Sequence, residues 1–153
     1  MAGLVVIGYD GSDDARRAVD LAAGALRADA AVVVNVWSIR VTAAQAGTPF
    51  GAPSPPRETE LQRSEQAARQ LADEGAARAR EAGLSAEPVV ARGTTAGEIA
   101  TALCDLAEER DATLVVVGRR GQSRLKEVIL GSVSNAAVHD GRCPILVVPS
   151  GEQ

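Results

Sequence analysis

Short β-branched apolar runs alternate with segments of helical period along this chain. No other feature limits the fold as strongly. Residues 3–9, GLVVIGY, and 31–37, AVVVNVW, are continuous apolar runs of strand length. Strands covered on both faces read this way. Between them Ala15, Ala18, Val19, Ala22, Ala25 and Leu26 recur at helical spacing and predict a helix over residues 13–28. Leu61, Ala68, Leu71, Ala72, Gly75, Ala76 and Ala79 predict a long helix over 57–82, with Gly83 as its C-cap. Residues 85–92, SAEPVVAR, form a weaker strand that contains Pro88. Proline cannot donate to a central ladder, so this strand belongs at a sheet edge. Thr95 and Glu98 are spaced as a capping box for a helix carrying Ile99, Leu103 and Leu106. A strand over 113–117, a helix over 132–139 and a last strand, PILVVP at 144–149, complete the series. The order β-α-β-α-β-α-β-α-β calls for right-handed crossovers and a parallel sheet with helices on both faces.

In such a sheet, ligands bind beyond the carboxyl ends of the strands, where strand order reverses. Two strand ends carry turn and polar residues: Asp10-Gly11-Ser12 after the first, and Gly118 onward after the fourth. If those two strands are neighbours, both ends face one crevice. Residues 38–57 hold Gly47, Pro49, Gly51, Pro53, Pro55 and Pro56 without any period. They read as a long loop within a single domain spanning 1–153 rather than as a second domain.

The chain has 153 residues, with 46% hydrophobic and 24% charged, which is the range of a globular domain. Aromatics make up 2%, so the core must be built from Val, Leu, Ile and Ala. A net charge of −4 argues against non-specific nucleic-acid binding. No apolar run approaches a membrane span, and the opening MAGLVVIGYD has neither a basic leader nor a long apolar core. No membrane partner and no signal peptide are therefore expected. Cys104 and Cys143 form no CxxC, and a reduced, cytoplasmic setting with two structural thiols is expected. Sequence leaves a disulfide between them open.

The segment GRRGQSRLKEVILGSVS, 118–134, brackets a basic and then apolar run with small residues. Gly118 and Gly121 can take positive φ and let backbone N–H groups approach a ligand. Gly131-Ser132 stands where a helix begins, and a helix N-terminus suits phosphate. Arg119, Arg120, Arg124 and Lys126 face only one acid, Glu127, on a chain that is acidic as a whole. Spacing alone leaves two readings open: an anion site, or turn punctuation with Ser132 as an N-cap. Neither GxxxxGK[ST] nor GxGxxG occurs.

Gly118-x-x-Gly121, nine residues, then Gly131-Ser132 resembles the G-x2-G-x9-G-[ST] signature of the universal stress proteins. VVIGYDGSDDARRAVDLA, the stretch ARGTTAGEIATALCDLAEERDATLVVVGRRG and the closing GRCPILVVP are similar to other parts of that family, so the resemblance covers nearly the whole chain. It implies an α/β fold: an open five-stranded parallel sheet of order 3-2-1-4-5, Rossmann-like, of the adenine nucleotide alpha hydrolase kind. Members with this signature bind ATP. By that resemblance Asp10 lies near the ribose and adenosine, Val36 lines the adenine pocket, and Val117 is among the nucleotide-binding residues. Gly118, Arg120 and Gly121 contact ribose and phosphate, and Gly131, Ser132, Val133 and Ser134 hold the phosphate chain. The resemblance further implies a stress-response switch or sensor using ATP with Mg²⁺, and a homodimer paired through residues 144–148. Alternatives are a slow ATPase and a nucleotide-free or cyclic AMP-binding interaction module. The loop 38–57 departs from the family pattern.

The remaining candidates point away from other chemistry. His139 is the only histidine, has no partner at ligand spacing and reads as an exposed helix residue. Asp13 and Asp14 suit the first turn of a helix better than a metal. No Ser-His-Asp arrangement can be asserted.

Overall fold

The computed structural model describes residues 3–37, 58–119 and 132–151. The expected loop at 38–57 and the signature residues Arg120, Gly121 and Gly131 lie outside the described residues. Nine elements alternate: β1 (Leu4–Gly8), α1 (Asp13–Gly24), β2 (Ala30–Trp37), α2 (Glu58–Glu81), β3 (Ser85–Arg92), α3 (Ala96–Glu109), β4 (Leu114–Gly118), α4 (Ser132–Asp140) and β5 (Ile145–Val148). All four pairings between strands are parallel. The sheet order is β3-β2-β1-β4-β5, so the Rossmann-like arrangement implied by the resemblance is the one found.

Strand pleating sends alternate side chains to opposite faces, and two cores result. Val5, Ile7, Val33 and Val116 meet Ala15, Ala18 and Val19 of α1 and Ala76 and Ala79 of α2. Val6, Val32, Val34, Val115 and Val117 meet Leu103 and Ala107 of α3, with Val133 of α4 packed at the margin. Small helical residues let backbones come close to the sheet. A Cβ on Gly75 of α2 would lie 2.7 Å from both Tyr9 Cγ and Val33 Cγ1.

Pro88 occupies the edge strand β3, where it pairs in register with Val33 of β2. Gly83 ends α2 at φ 97°, and Leu84 N–H reaches back to the Ala79 carbonyl while Gly83 N–H reaches that of Arg80. That is the Schellman pattern, so the expected C-cap is present. The first helix is shorter than its apolar period suggests. It ends at Gly24, and the chain turns through Arg27 at φ 51° before β2. Leu26 and Ala28 still pack on the core from this turn, which is why the period outlasts the helix. Pro144 and Pro149 flank the last strand rather than belonging to it. Among the described residues, no helix is long and apolar enough to cross a membrane.

Candidate functional site

The site is built where β1 and β4 end side by side, at the point where strand order reverses. Ile7 of β1 pairs with Val116 of β4. Beyond β1 the Asp10 carboxylate accepts the Ser12 N–H at 3.0 Å, which tightens the turn into α1. Ser12 then caps α1 by accepting the Ala15 N–H at 3.2 Å. Asn35 is a single polar residue in an apolar strand and is 6% exposed. Its amide donates to the Tyr9 carbonyl at 2.8 Å, while the Tyr9 N–H donates to Val34. The end of β2 thereby fixes the course of the chain between β1 and Asp10.

Gly118 closes β4 beside the first turn of α1. A Cβ there would lie 2.7 Å from Asp14 Cβ, 2.9 Å from the Asp14 carbonyl carbon and 3.1 Å from Ala15 N. Gly118 is not among the glycines at positive φ. The expectation that it serves through left-handed backbone is therefore corrected: glycine is needed here because α1 approaches too closely for a side chain. Ser134, 3% exposed in the first turn of α4, donates its hydroxyl to the Gly118 carbonyl at 2.7 Å. This bond brings the two ends of the glycine-rich segment together, although they stand 16 residues apart.

The three valines assigned to the site share one apolar cluster. Val117 is buried, and Val36 and Val133 pack against the same group with Ile99 and Leu103. Gly93 closes this region from below: a Cβ on it would lie 3.2 Å from Val36 Cγ1 and equally close to Ile99. The Arg92 guanidinium stacks over Trp37 at 5.6 Å, at the end of β2. Sequence reasoning passed over Asn35, Gly93 and this stack. The signal for Asn35 was present, as one amide in the run AVVVNVW.

Electrostatics single out one helix end. The first turn of α1 contains Asp13 and Asp14, that of α2 contains Glu58 and Glu60, and α3 begins with the Thr95–Glu98 capping box. Only α4, among these helices, has no acidic side chain in its first turn. A helix N-terminus with no acid in its first turn suits an anion. Asp14 is 7% exposed and accepts the Ser150 hydroxyl at 2.8 Å, tying the chain after β5 to α1. Asp13 pairs with Arg16 at 3.1 Å in the first turn.

A separate open groove of about 810 Å³ lies between α3 and α4, lined in part by Arg92, Thr95, Glu98, Thr101, Asp105 and His139. Its acids are committed elsewhere. Glu98 accepts from the Thr94 hydroxyl and from the Thr94 and Thr95 N–H groups, and these bonds hold its carboxyl below the ordinary value. Asp105 pairs with Arg142 at 2.6 Å. His139 is exposed, as expected. Among the described residues, no group of three or more His, Cys, Asp or Glu side chains could hold a metal. Cys104 and Cys143 are joined in a disulfide with Cα atoms 5.7 Å apart, so the expectation of two reduced thiols does not hold in this structure.

Comparison with known proteins places these features in a lineage. Residues 1–149 match the model of the universal stress protein family. The universal stress protein YxiE of Bacillus subtilis is 44% identical over 71 residues, covering 46% of this chain and 45% of that protein. The matched stretch is thus less than half of that relative's length. A universal stress protein of Thermus aquaticus is 29% identical over 144 residues, covering 94% of this chain and 96% of that one. A solved universal stress protein in complex with cAMP superposes with a TM-score of 0.61 at 26% identity, covering 97% of this chain and 98% of that chain.

Proposed function

Since the chain belongs to the universal stress protein family, we propose that the crevice between the ends of β1 and β4 binds an adenine nucleotide, ATP in the first place. One observation carries the reading: the Ser134–Gly118 bond joins the two ends of the glycine-rich segment 118–134 beside the reversal point of the sheet. The cAMP complex of a relative supports an adenine nucleotide as the ligand class.

The residues fit such a ligand part by part. Val36, Val117 and Val133 offer an apolar wall for the base. Asp10 stands at the β1 end for the ribose hydroxyls. The N-terminal amides of α4, from Ser132 to Ser134, suit phosphate because the first turn of the helix itself carries no acid. Ser134 already donates its hydroxyl to Gly118, so its contribution to phosphate is the backbone N–H and the placement of the turn. Gly118 contributes the close strand end. Arg120, Gly121 and Gly131 carry the middle of the signature and complete the phosphate and ribose contacts. Magnesium, if bound with the nucleotide, would supply positive charge beside the phosphates, and Asp10 at the β1 end would be the carboxylate to hold it.

The chain acts as a nucleotide-dependent stress-response switch in the cytoplasm rather than as an efficient enzyme. Asp10 is the strand-end carboxylate available as a base, and it already accepts the Ser12 N–H. Single-turnover hydrolysis far below the enzyme median of roughly 10 per second is expected. The switch works as a homodimer. Ile145, Leu146 and Val147 are only partly buried on the edge strand β5, and an antiparallel copy would cover them.

The direct test is acid extraction of the purified protein followed by nucleotide chromatography and a calorimetric titration of the stripped protein. Copurified adenine nucleotide, or binding after stripping, supports the reading. A folded protein that yields none and binds none refutes it.

A further inference from the structure

We infer that the Cys104–Cys143 bond is a redox-sensitive tether that sets how tightly the crevice holds nucleotide; this rests on the nucleotide reading above. Cys104 lies on α3 and is fully buried, and Cys143 lies in the turn from α4 to β5 and is only partly buried. Their separation in sequence is 39 residues. The closed loop therefore contains β4, α4 and every residue of the glycine signature, from Gly118 to Ser132. No other part of the proposed phosphate site is left outside it.

The bond acts on the helix that presents the phosphate-binding amides. The first turn of α4 is pinned to β4 by Ser134 and Gly118. Just beyond its far end, the turn into β5 is pinned to α3 by the disulfide, and next to it by the Arg142–Asp105 pair at 2.6 Å. With both ends fixed, the amides of the first turn are held in place before nucleotide arrives, and preorganisation of this kind raises affinity. Cutting the disulfide leaves this turn to the exposed and weak Arg142–Asp105 pair and to the Val115 N–H, which donates to the Pro144 carbonyl at 2.9 Å. In a reducing compartment a bond of this type reports oxidant rather than serving as a permanent staple.

Exposure sets the direction of chemistry. The thiolate of a small or protein dithiol attacks the Cys143 sulfur, the more accessible of the two. The S–S bond breaks, a mixed disulfide forms on Cys143, and Cys104 leaves as a thiolate that takes up a proton. The second thiol of the reductant then attacks the mixed disulfide, releasing Cys143 and the oxidised reductant. The protein disulfide gains two electrons and two protons, and the dithiol loses them. Reoxidation runs the same exchange backwards from an oxidised dithiol.

The test compares wild type oxidised with oxidised glutathione and wild type reduced with dithiothreitol, both titrated with ATP after circular dichroism has established folding. Thiol titration should find no free thiol in the first state and both thiols in the second. The oxidised form should bind ATP about tenfold more tightly. Cys143→Ser should bind like the reduced form under both conditions. Linkage then requires ATP to lower the disulfide midpoint potential by about 30 mV for that tenfold change. Equal ATP affinity in the two states overturns the tether, as do two thiols that persist under oxidant. If neither state binds ATP, the nucleotide reading fails, and hydrogen exchange of α4 decides the tether alone. Faster exchange over residues 132–140 on reduction sustains it, and unchanged exchange overturns it.

Discussion

Gly118 lies so close to Asp14 that a Cβ on the glycine would sit 2.7 Å from the Cβ of the aspartate. Two of the three nearest atoms are backbone, so no rotamer change can relieve the contact. Gly118→Ala should therefore destabilise the unliganded protein by about 1–3 kcal/mol. Urea unfolding measures it. Gly24→Ala is the control: nothing lies within 4 Å of its added Cβ. That change should be neutral or stabilise by about 0.5–1 kcal/mol. Equal stability of the two variants would show that α1 does not press on β4.

Ser134→Ala removes the hydroxyl that satisfies the Gly118 carbonyl in a nearly buried setting. A loss of about 1–2 kcal/mol is expected in thermal or denaturant unfolding. Nucleotide affinity should fall too, since the same bond places the first turn of α4. Loss of stability without loss of affinity would confine Ser134 to a structural role.

The one tyrosine gives a clean pH probe. Tyr9 is 3% exposed and donates to Glu74 Oε1 at 2.6 Å. Burial first, and then the Glu74 carboxylate, push its pKa from 10.0 up to about 12. The folded state thus keeps the proton where the unfolded chain loses it. The associated stability is complete below pH 10 and is lost as pH rises toward 12. Absorbance of the phenolate follows Tyr9 alone. Glu74→Gln should lower its midpoint, because the charge opposing ionisation is gone. A wild-type midpoint near 10 would contradict the burial of Tyr9 and its bond to Glu74.

Sedimentation at micromolar concentration tests the β5 pairing. A dimer is expected, and a monomer at that concentration excludes the proposed edge contact.

Much of the architecture was legible because strand burial leaves a local trace. The runs at β1 and β4 are apolar throughout, that at β2 is apolar but for Asn35, and Pro88 marks β3 as an edge by itself. The Thr95–Glu98 capping box is a local signal as well, since both of its partners lie within one turn. What was not legible depends on distant partners. The role of Gly118 is set by α1, more than a hundred positions earlier in the chain. The pairing of Cys104 with Cys143 depends on α3 lying against α4. Leu26 extended the apparent helical period because it packs on the core from the turn after α1. The middle of the signature, Arg120, Gly121 and Gly131, was named from sequence and stays a proposal.

Calorimetric titration of nucleotide-stripped wild type with ATP, ADP, AMP and cyclic AMP, beside Gly131→Val, measures nucleotide binding at the crevice directly. A branched side chain in the signature should block the phosphate path. Saturable heat is expected for wild type with at least one adenine nucleotide, ATP first, and its loss in the folded variant. No heat from folded wild type with any of the four, or unchanged binding by the folded variant, would contradict nucleotide binding there.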